Sequence, residues 1–193
     1  RTGTSDPFNN LVFGGPQLAP AFVDLNANGL YDLVVGWGGG SLFYSKNNGV
    51  TNAPNFQIQS GSQNPFNKIN VTAESHPAFI DLDKDGDYDL VVGNKIGDIY
   101  YFENIGSSSS PNFQAREGLG DNPFQSIRVG KSSAPAFVDL DRDGDYDLAI
   151  GQKDGGILIY YENTGNSYSP TFTKRTGENV DPFFGLTIYS YSK

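Results

Sequence analysis

Nine residues, Asp139-Leu-Asp-Arg-Asp-Gly-Asp-Tyr-Asp147, set five carboxylates in a stretch too short to keep them apart. Clustered carboxylates raise one another's pKa and repel, so the block calls for a cation. Calcium is a hard ion that takes six to eight oxygens, and the spacing D-x-D-x-D-G-D-x-D suits it. Side chains at positions 1, 3 and 5 fall on one side of a tight turn. Gly at position 6 permits the reversal, position 7 offers its backbone carbonyl, and position 9 closes the shell. The predicted ligands are Asp139, Asp141, Asp143, the carbonyl of Asp145, and Asp147. The block recurs as Asp81, Asp83, Asp85, the carbonyl of Asp87, and Asp89. A third copy offers Asp24, Asn26, Asn28, the carbonyl of Leu30, and Asp32. Amides replace two of its carboxylates, so a third calcium ion there binds more weakly.

Competing chemistries fit less well. An EF-hand needs Glu at position 12, where Val92 and Ile150 stand. Magnesium prefers to keep several waters. Zinc and copper favour His or Cys, and the chain has one His and no Cys. A plain polar turn rich in Asp and Gly accounts for one copy, but two copies with five aspartates each point to an ion. The expected role of the ion is structural: it fastens the strands on either side of the loop.

The elements that must position these loops follow a repeat. Asp/Asn-Pro-Phe occurs at Asp6-Pro7-Phe8, Asn64-Pro65-Phe66, Asn122-Pro123-Phe124 and Asp181-Pro182-Phe183, with prolines spaced by 58, 58 and 59 residues. Within a period the order is constant. A strand-like piece runs to a proline, as in Leu11-Val-Phe to Pro20, Ile69-Asn-Val to Pro77 and Ile127-Arg-Val to Pro135. The acidic block follows, then Tyr-Asp-Leu-Val-Val-Gly or its Ala-Ile variant, an aromatic strand, an Asn-x-Gly turn, and a last strand opened by Pro-x-Phe. The repeats span about 8–65, 66–123 and 124–182, with 175–193 a partial fourth copy. Each holds about four short strands, some with continuous apolar runs that imply burial on both faces. Units of this kind bury those faces by stacking on their neighbours, and radial stacking of four-stranded units is a β-propeller. The fold class expected is all-β, in a single propeller-type domain.

Composition agrees. Phe 14, Tyr 11 and Gly 24 favour strands and turns. A net charge of −9 argues against a nucleic-acid partner, and three divalent ions would bring it to −3. No apolar run approaches a membrane span, so no membrane insertion is expected. The chain starts at Arg1 and contains no Met, which reads as a segment of a longer product.

The repeats resemble the FG-GAP/VCBS family, the calcium-binding blades of integrin α-chain propellers and of secreted lectins and adhesins. Phe13-Gly14 with Ala19-Pro20, and Val129-Gly130 with Ala134-Pro135, carry part of the signature. Repeat two departs from it at Val71-Thr72 and His76-Pro77. The resemblance implies a secreted protein similar to fungal propeller lectins, with a glycan or an extracellular protein as its partner.

Catalytic constellations are weak. His76 precedes Pro77 with no nucleophile in its motif, and Glu74, Glu103, Glu117, Glu162 and Glu178 stand in no recognisable pattern, so no enzyme activity is expected. Three positions where the repeats differ are candidate ligand contacts: Trp37, Lys95 and Lys153. Trp37 in a glycine-rich loop offers a sugar-stacking platform, and packing between blades is the competing reading. Three blades leave open edges. The two ends of the chain are in phase, with Arg1-Thr-Gly and Asp6-Pro-Phe repeated at Arg175-Thr-Gly and Asp181-Pro-Phe. A homodimer that closes a six-bladed ring is therefore expected, with a fragment of a longer propeller as the alternative. The functional expectation is a calcium-stabilised recognition module, a carbohydrate-binding lectin first and a protein-binding adhesion module second.

Overall fold

The computed structural model describes residues 6–153 and 155–186. The chain forms three four-stranded antiparallel sheets, each a simple meander. Sheet one holds β1 (Ala19–Val23), β2 (Asp32–Gly36), β3 (Leu42–Asn47) and β4 (Phe56–Gln59). Sheet two holds β5 (His76–Ile80), β6 (Asp89–Gly93), β7 (Ile99–Asn104) and β8 (Phe113–Arg116). Sheet three holds β9 (Ser133–Val138), β10 (Asp147–Gln152), β11 (Ile157–Asn163) and β12 (Phe172–Arg175). The sheets coincide with the repeats, and their first strands, β1, β5 and β9, lie side by side.

Alternation along β6 explains the stacking. Leu90 and Val92 point to sheet one and join Val23, Val34, Leu42 and Tyr44. Val91 points the other way and joins Leu148, Ile150 and Tyr161 of sheet three. Successive side chains of a strand face opposite sides, so an unbroken apolar run serves two interfaces at once.

One phenylalanine plugs each interface. Phe66 is 0% exposed; it stacks on Phe113 at 5.0 Å and meets Phe79 at 5.9 Å and Tyr44 at 6.1 Å. Phe124, also 0% exposed, repeats the arrangement with Phe172 at 5.0 Å, Phe137 at 5.9 Å and Tyr101 at 5.8 Å. Each plug touches the tyrosine of the preceding sheet and two phenylalanines of the following one. The Asn-Pro-Phe tripeptide positions it: the Asn64 and Asn122 side chains accept the Phe amides at 2.9 Å.

The first strand of each repeat differs from expectation. Leu11–Phe13, Ile69–Val71 and Ile127–Val129 are not strands; Leu11 with Phe13, Ile69 with Val71 and Ile127 with Val129 lie as lids over the sheets. The strands begin later and contain Pro20, Pro77 and Pro135. Each of these strands pairs within its sheet on one side only, so the missing N–H of proline breaks no ladder. The expected fourth copy is described as far as Leu186; Thr187–Lys193 and Arg1–Ser5 lie outside the described residues.

Candidate metal centre

Each acidic block joins the first and second strands of its sheet. The turn is built from two left-handed residues, Lys84 (φ 58) with Gly86 (φ 96), and Arg142 (φ 65) with Gly144 (φ 100). Gly accepts that region at no steric cost, whereas Lys and Arg are held there by the hydrogen bonds of the loop. Asp85 and Asp87 donate their amides to Asp83 Oδ1 and Asp85 Oδ1 at 3.2 and 3.0 Å, and Gly86 donates to Asp81 Oδ2 at 3.2 Å. The loop of repeat three repeats these bonds at 3.2, 3.1 and 3.3 Å.

This geometry gathers Asp81, Asp83 and Asp85, and likewise Asp139, Asp141 and Asp143, with carboxylate oxygens within 4.8 Å of one another. The second oxygens of Asp81 and Asp139, and Oδ1 of Asp87 and Asp145, are buried without a hydrogen-bond partner. A buried carboxylate oxygen without a donor is costly unless a cation or a proton meets it. Burial, followed by the charges of Asp85, Asp83 and Asp81, pushes Asp87 up to about 6. Burial also raises Asp83, Asp141 and Asp145, with neighbouring aspartates adding to it. All-oxygen donors, repulsion among them and orphaned oxygens fit a hard divalent ion such as calcium.

Position 9 has a second role that the spacing alone does not suggest. Asp89 Oδ1 accepts the Asn104 amide at 2.8 Å, and Oδ2 accepts the Tyr101 hydroxyl at 3.1 Å and the Leu82 amide at 3.2 Å. Asp147 takes the same bonds from Asn163, Tyr160 and Leu140 at 2.9, 2.9 and 3.1 Å. Asp32 takes the Asn47 amide at 2.7 Å and the Tyr44 hydroxyl at 2.8 Å. This carboxylate therefore ties the loop to the third strand of its sheet. Burial lifts Asp89 to about 7 against the pull of those donors.

The loop of repeat one is self-satisfied. Asp24 accepts the Asn28 and Gly29 amides on its two oxygens at 3.2 and 2.8 Å. Asn26 donates its side-chain amide to Asp32 at 2.9 Å, a bond that Asp83 and Asp141 cannot make when ionised. Asn28 accepts the Leu30 amide at 2.8 Å.

Between the loops of repeats two and three lies a cleft of about 780 Å³, lined in part by Phe79, Tyr88, Phe137, Tyr146 and Tyr168. Lys84 bridges it by donating to the Gly144 carbonyl at 3.2 Å. The three candidate ligand contacts lie elsewhere. Trp37 packs against Phe43 at 5.8 Å, and a Cβ at Gly15 or Gly39 would collide with its ring. Lys95 pairs with Glu74 at 3.4 Å, and Lys153 adds its charge to the field at the same carboxylate.

Glu74, which stands in no recognisable motif in the sequence, has a structural place. It is 4% exposed and accepts the Gln17 amide at 2.8 Å and the Ser132 hydroxyl at 2.5 Å. Gln17, Glu74 and Ser132 occupy the same position in the three repeats, and all three are left-handed, at φ 61, 49 and 55. The signal was their spacing of 57 and 58 residues, hidden because the three residue types differ. No family model, curated protein or solved structure matches the chain.

Proposed function

We propose that this chain is a calcium-clipped β-propeller module of the FG-GAP/VCBS type that recognises glycans. The observation that carries the calcium reading is the pair of buried, partnerless oxygens in each of two acidic loops, at Asp81 with Asp87 and at Asp139 with Asp145. Asp81, Asp83 and Asp85 hold one ion, and Asp139, Asp141 and Asp143 hold another, and by the spacing of the block the carbonyls of Asp87 and Asp145 and the carboxylates of Asp89 and Asp147 complete each shell. Repeat one takes its ion more weakly, because two amides stand in place of carboxylates and Asn26 already donates to Asp32. The ions are structural, and no residue is assigned a catalytic role.

The propeller reading is supported by three meanders whose first strands adjoin and by the convergence of equivalent residues at Glu74. Glycan recognition is supported by the cleft between the loops. Tyr88, Tyr146 and Tyr168 offer exposed rings there, and aromatic faces with adjacent polar groups suit a sugar. This tyrosine-lined cleft stands as a second candidate sugar site beside Trp37, Lys95 and Lys153. A secreted setting accords with calcium at extracellular levels.

A glycan array, run with calcium and with chelator, tests the reading. Calcium-dependent binding that Tyr146→Ala abolishes is the expected result. Binding to extracellular proteins but to no glycan would favour the adhesion alternative.

A further inference from the structure

The joint between sheets occurs twice in full, and each outer face carries one half of it. Between sheets one and two, Val71, Glu74 and Ser75 donate their amides to the carbonyls of Gly40, Gly38 and Trp37 at 3.0, 3.2 and 3.1 Å. Between sheets two and three, Val129, Ser132 and Ser133 donate to Gly97, Lys95 and Asn94 at 3.2, 2.9 and 3.0 Å. A serine hydroxyl seals each joint. Ser75 accepts the Trp37 amide at 3.0 Å and donates to the Ser41 carbonyl at 2.8 Å. Ser133 accepts the Asn94 amide at 2.9 Å and donates to the Asp98 carbonyl at 2.7 Å. The approach is so close that a Cβ at Gly36 would strike the Ser75 carbonyl, and one at Gly93 the Ser133 carbonyl.

The third glycine of this series is Gly151, and a Cβ there would meet nothing nearer than Ala134 at 3.8 Å among the described residues. The serine's counterpart in repeat one is Leu18, which is exposed. The aromatic plugs divide in the same way. Phe8 stacks on Phe56 at 5.4 Å and meets Phe22 at 6.3 Å, the two rings that the following sheet supplies in a complete joint. Phe183 meets Tyr160 at 6.2 Å, the ring that the preceding sheet supplies. Phe22 is 52% exposed, where its counterparts Phe79 and Phe137 are partly buried.

We propose that the outer face of sheet three receives the outer face of sheet one from a second copy of this chain. The Leu18 backbone then seats on Gly151, and Tyr160 completes the socket of Phe22 and Phe56. The occupant is a second copy because the two faces are the halves of one joint that the chain already forms twice within itself. Such a contact is heterologous, and a head-to-tail pair closes it into a ring of six sheets. Phe8 and Phe183 then claim one socket, so one of them is surplus in the closed joint. This inference rests on the propeller reading above and adds the partner and the contact.

Sedimentation velocity on the full chain, with Gly151→Ala and Leu18→Ser beside it, tests the proposal. The wild type is expected at twice 20.9 kDa. Gly151→Ala is expected at the monomer mass with an unchanged circular dichroism spectrum, since among the described residues its new methyl makes only ordinary van der Waals contacts, at 3.8 Å or more. Leu18→Ser restores the sealing hydroxyl and tightens association by about three- to tenfold, the size of one net hydrogen bond. A wild type that stays monomeric at high concentration overturns the joint, as does a Gly151→Ala variant that associates like the wild type. A ladder of larger species that Gly151→Ala abolishes keeps the joint and overturns its closure into a pair. Calcium and glycan binding, measured on the same samples, separate a failure of the joint from a failure of the recognition reading.

Discussion

Ser132 donates its hydroxyl to Glu74 across 58 residues of chain, at 2.5 Å. The two residues hold the same position in successive repeats, and Gln17, one repeat earlier, reaches the same carboxylate. Three sheets are thereby tied at one buried acid. Glu74→Ala removes an ionised acceptor and leaves the Ser132 and Gln17 donors unpaired. Urea denaturation should show a loss of about 1.5–3 kcal/mol, the range for a hydrogen bond to a charged group. Glu74→Gln keeps an acceptor and should cost less.

The same acid sets a pH dependence. The Ser132 hydrogen bond, followed by Lys95 and the charge of Lys153, holds the Glu74 carboxyl below its ordinary 4.5. Its unfolded form binds a proton more readily, so its contribution is full above that value and is lost as pH falls through the depressed folded value. Burial holds the nearby His76 below its ordinary 6.5. Melting temperature followed from pH 6 downward should decline less steeply in Glu74→Gln than in the wild type. Parallel acid limbs would contradict this assignment.

Position in the stack decides the value of a phenylalanine. Phe66 is 0% exposed and Phe8 is 45% exposed, although both come from the same tripeptide. Phe66→Ala should cost about 3–5 kcal/mol, as for other buried aromatic truncations. Phe8→Ala should cost clearly less in the monomer. Equal losses in chemical denaturation would contradict the plug assignment.

The tyrosine behind each loop donates its hydroxyl to Asp89, Asp147 or Asp32. Tyr101→Phe deletes the bond to Asp89 and keeps the ring against Phe124. A loss of about 0.5–1.5 kcal/mol is expected near neutral pH in the ion-free protein, because Asp89, lifted to about 7, is only partly ionised there. Burial and the Asp89 charge also raise the Tyr101 pKa, so its phenol should resist ionisation in an alkaline ultraviolet titration.

Much of this was legible in the sequence, because a period of 58 residues imposes the same strands, turns and acidic loops on each repeat. The continuous run Leu90-Val-Val92 foretold burial on both faces, and β6 is buried throughout. The first strands were misplaced, since Leu11–Phe13 and Ile69–Val71 have strand-like composition but serve as lids. A single sequence does not separate those roles, because each buries its apolar side chains. The packing of Trp37 against Gly15, Gly39 and Phe43 shows only in the structure. The structural work of Asp89 was hidden because a metal ligand and a hydrogen-bond acceptor are the same residue type at the same spacing. Glu74 was missed because its partners arrive from the other two repeats.

The most direct test of the account is calorimetric titration of calcium into chelator-stripped protein, paired with a melting curve. Two strong ions per chain are expected, with a weaker third, and Asp83→Asn with Asp85→Asn should remove one strong site. At a hundredfold excess of ion over Kd, each strong site adds about 2.7 kcal/mol to stability, so the melting temperature should rise markedly. Absence of binding heat, together with the same melting temperature in calcium and in chelator, would contradict the calcium clip.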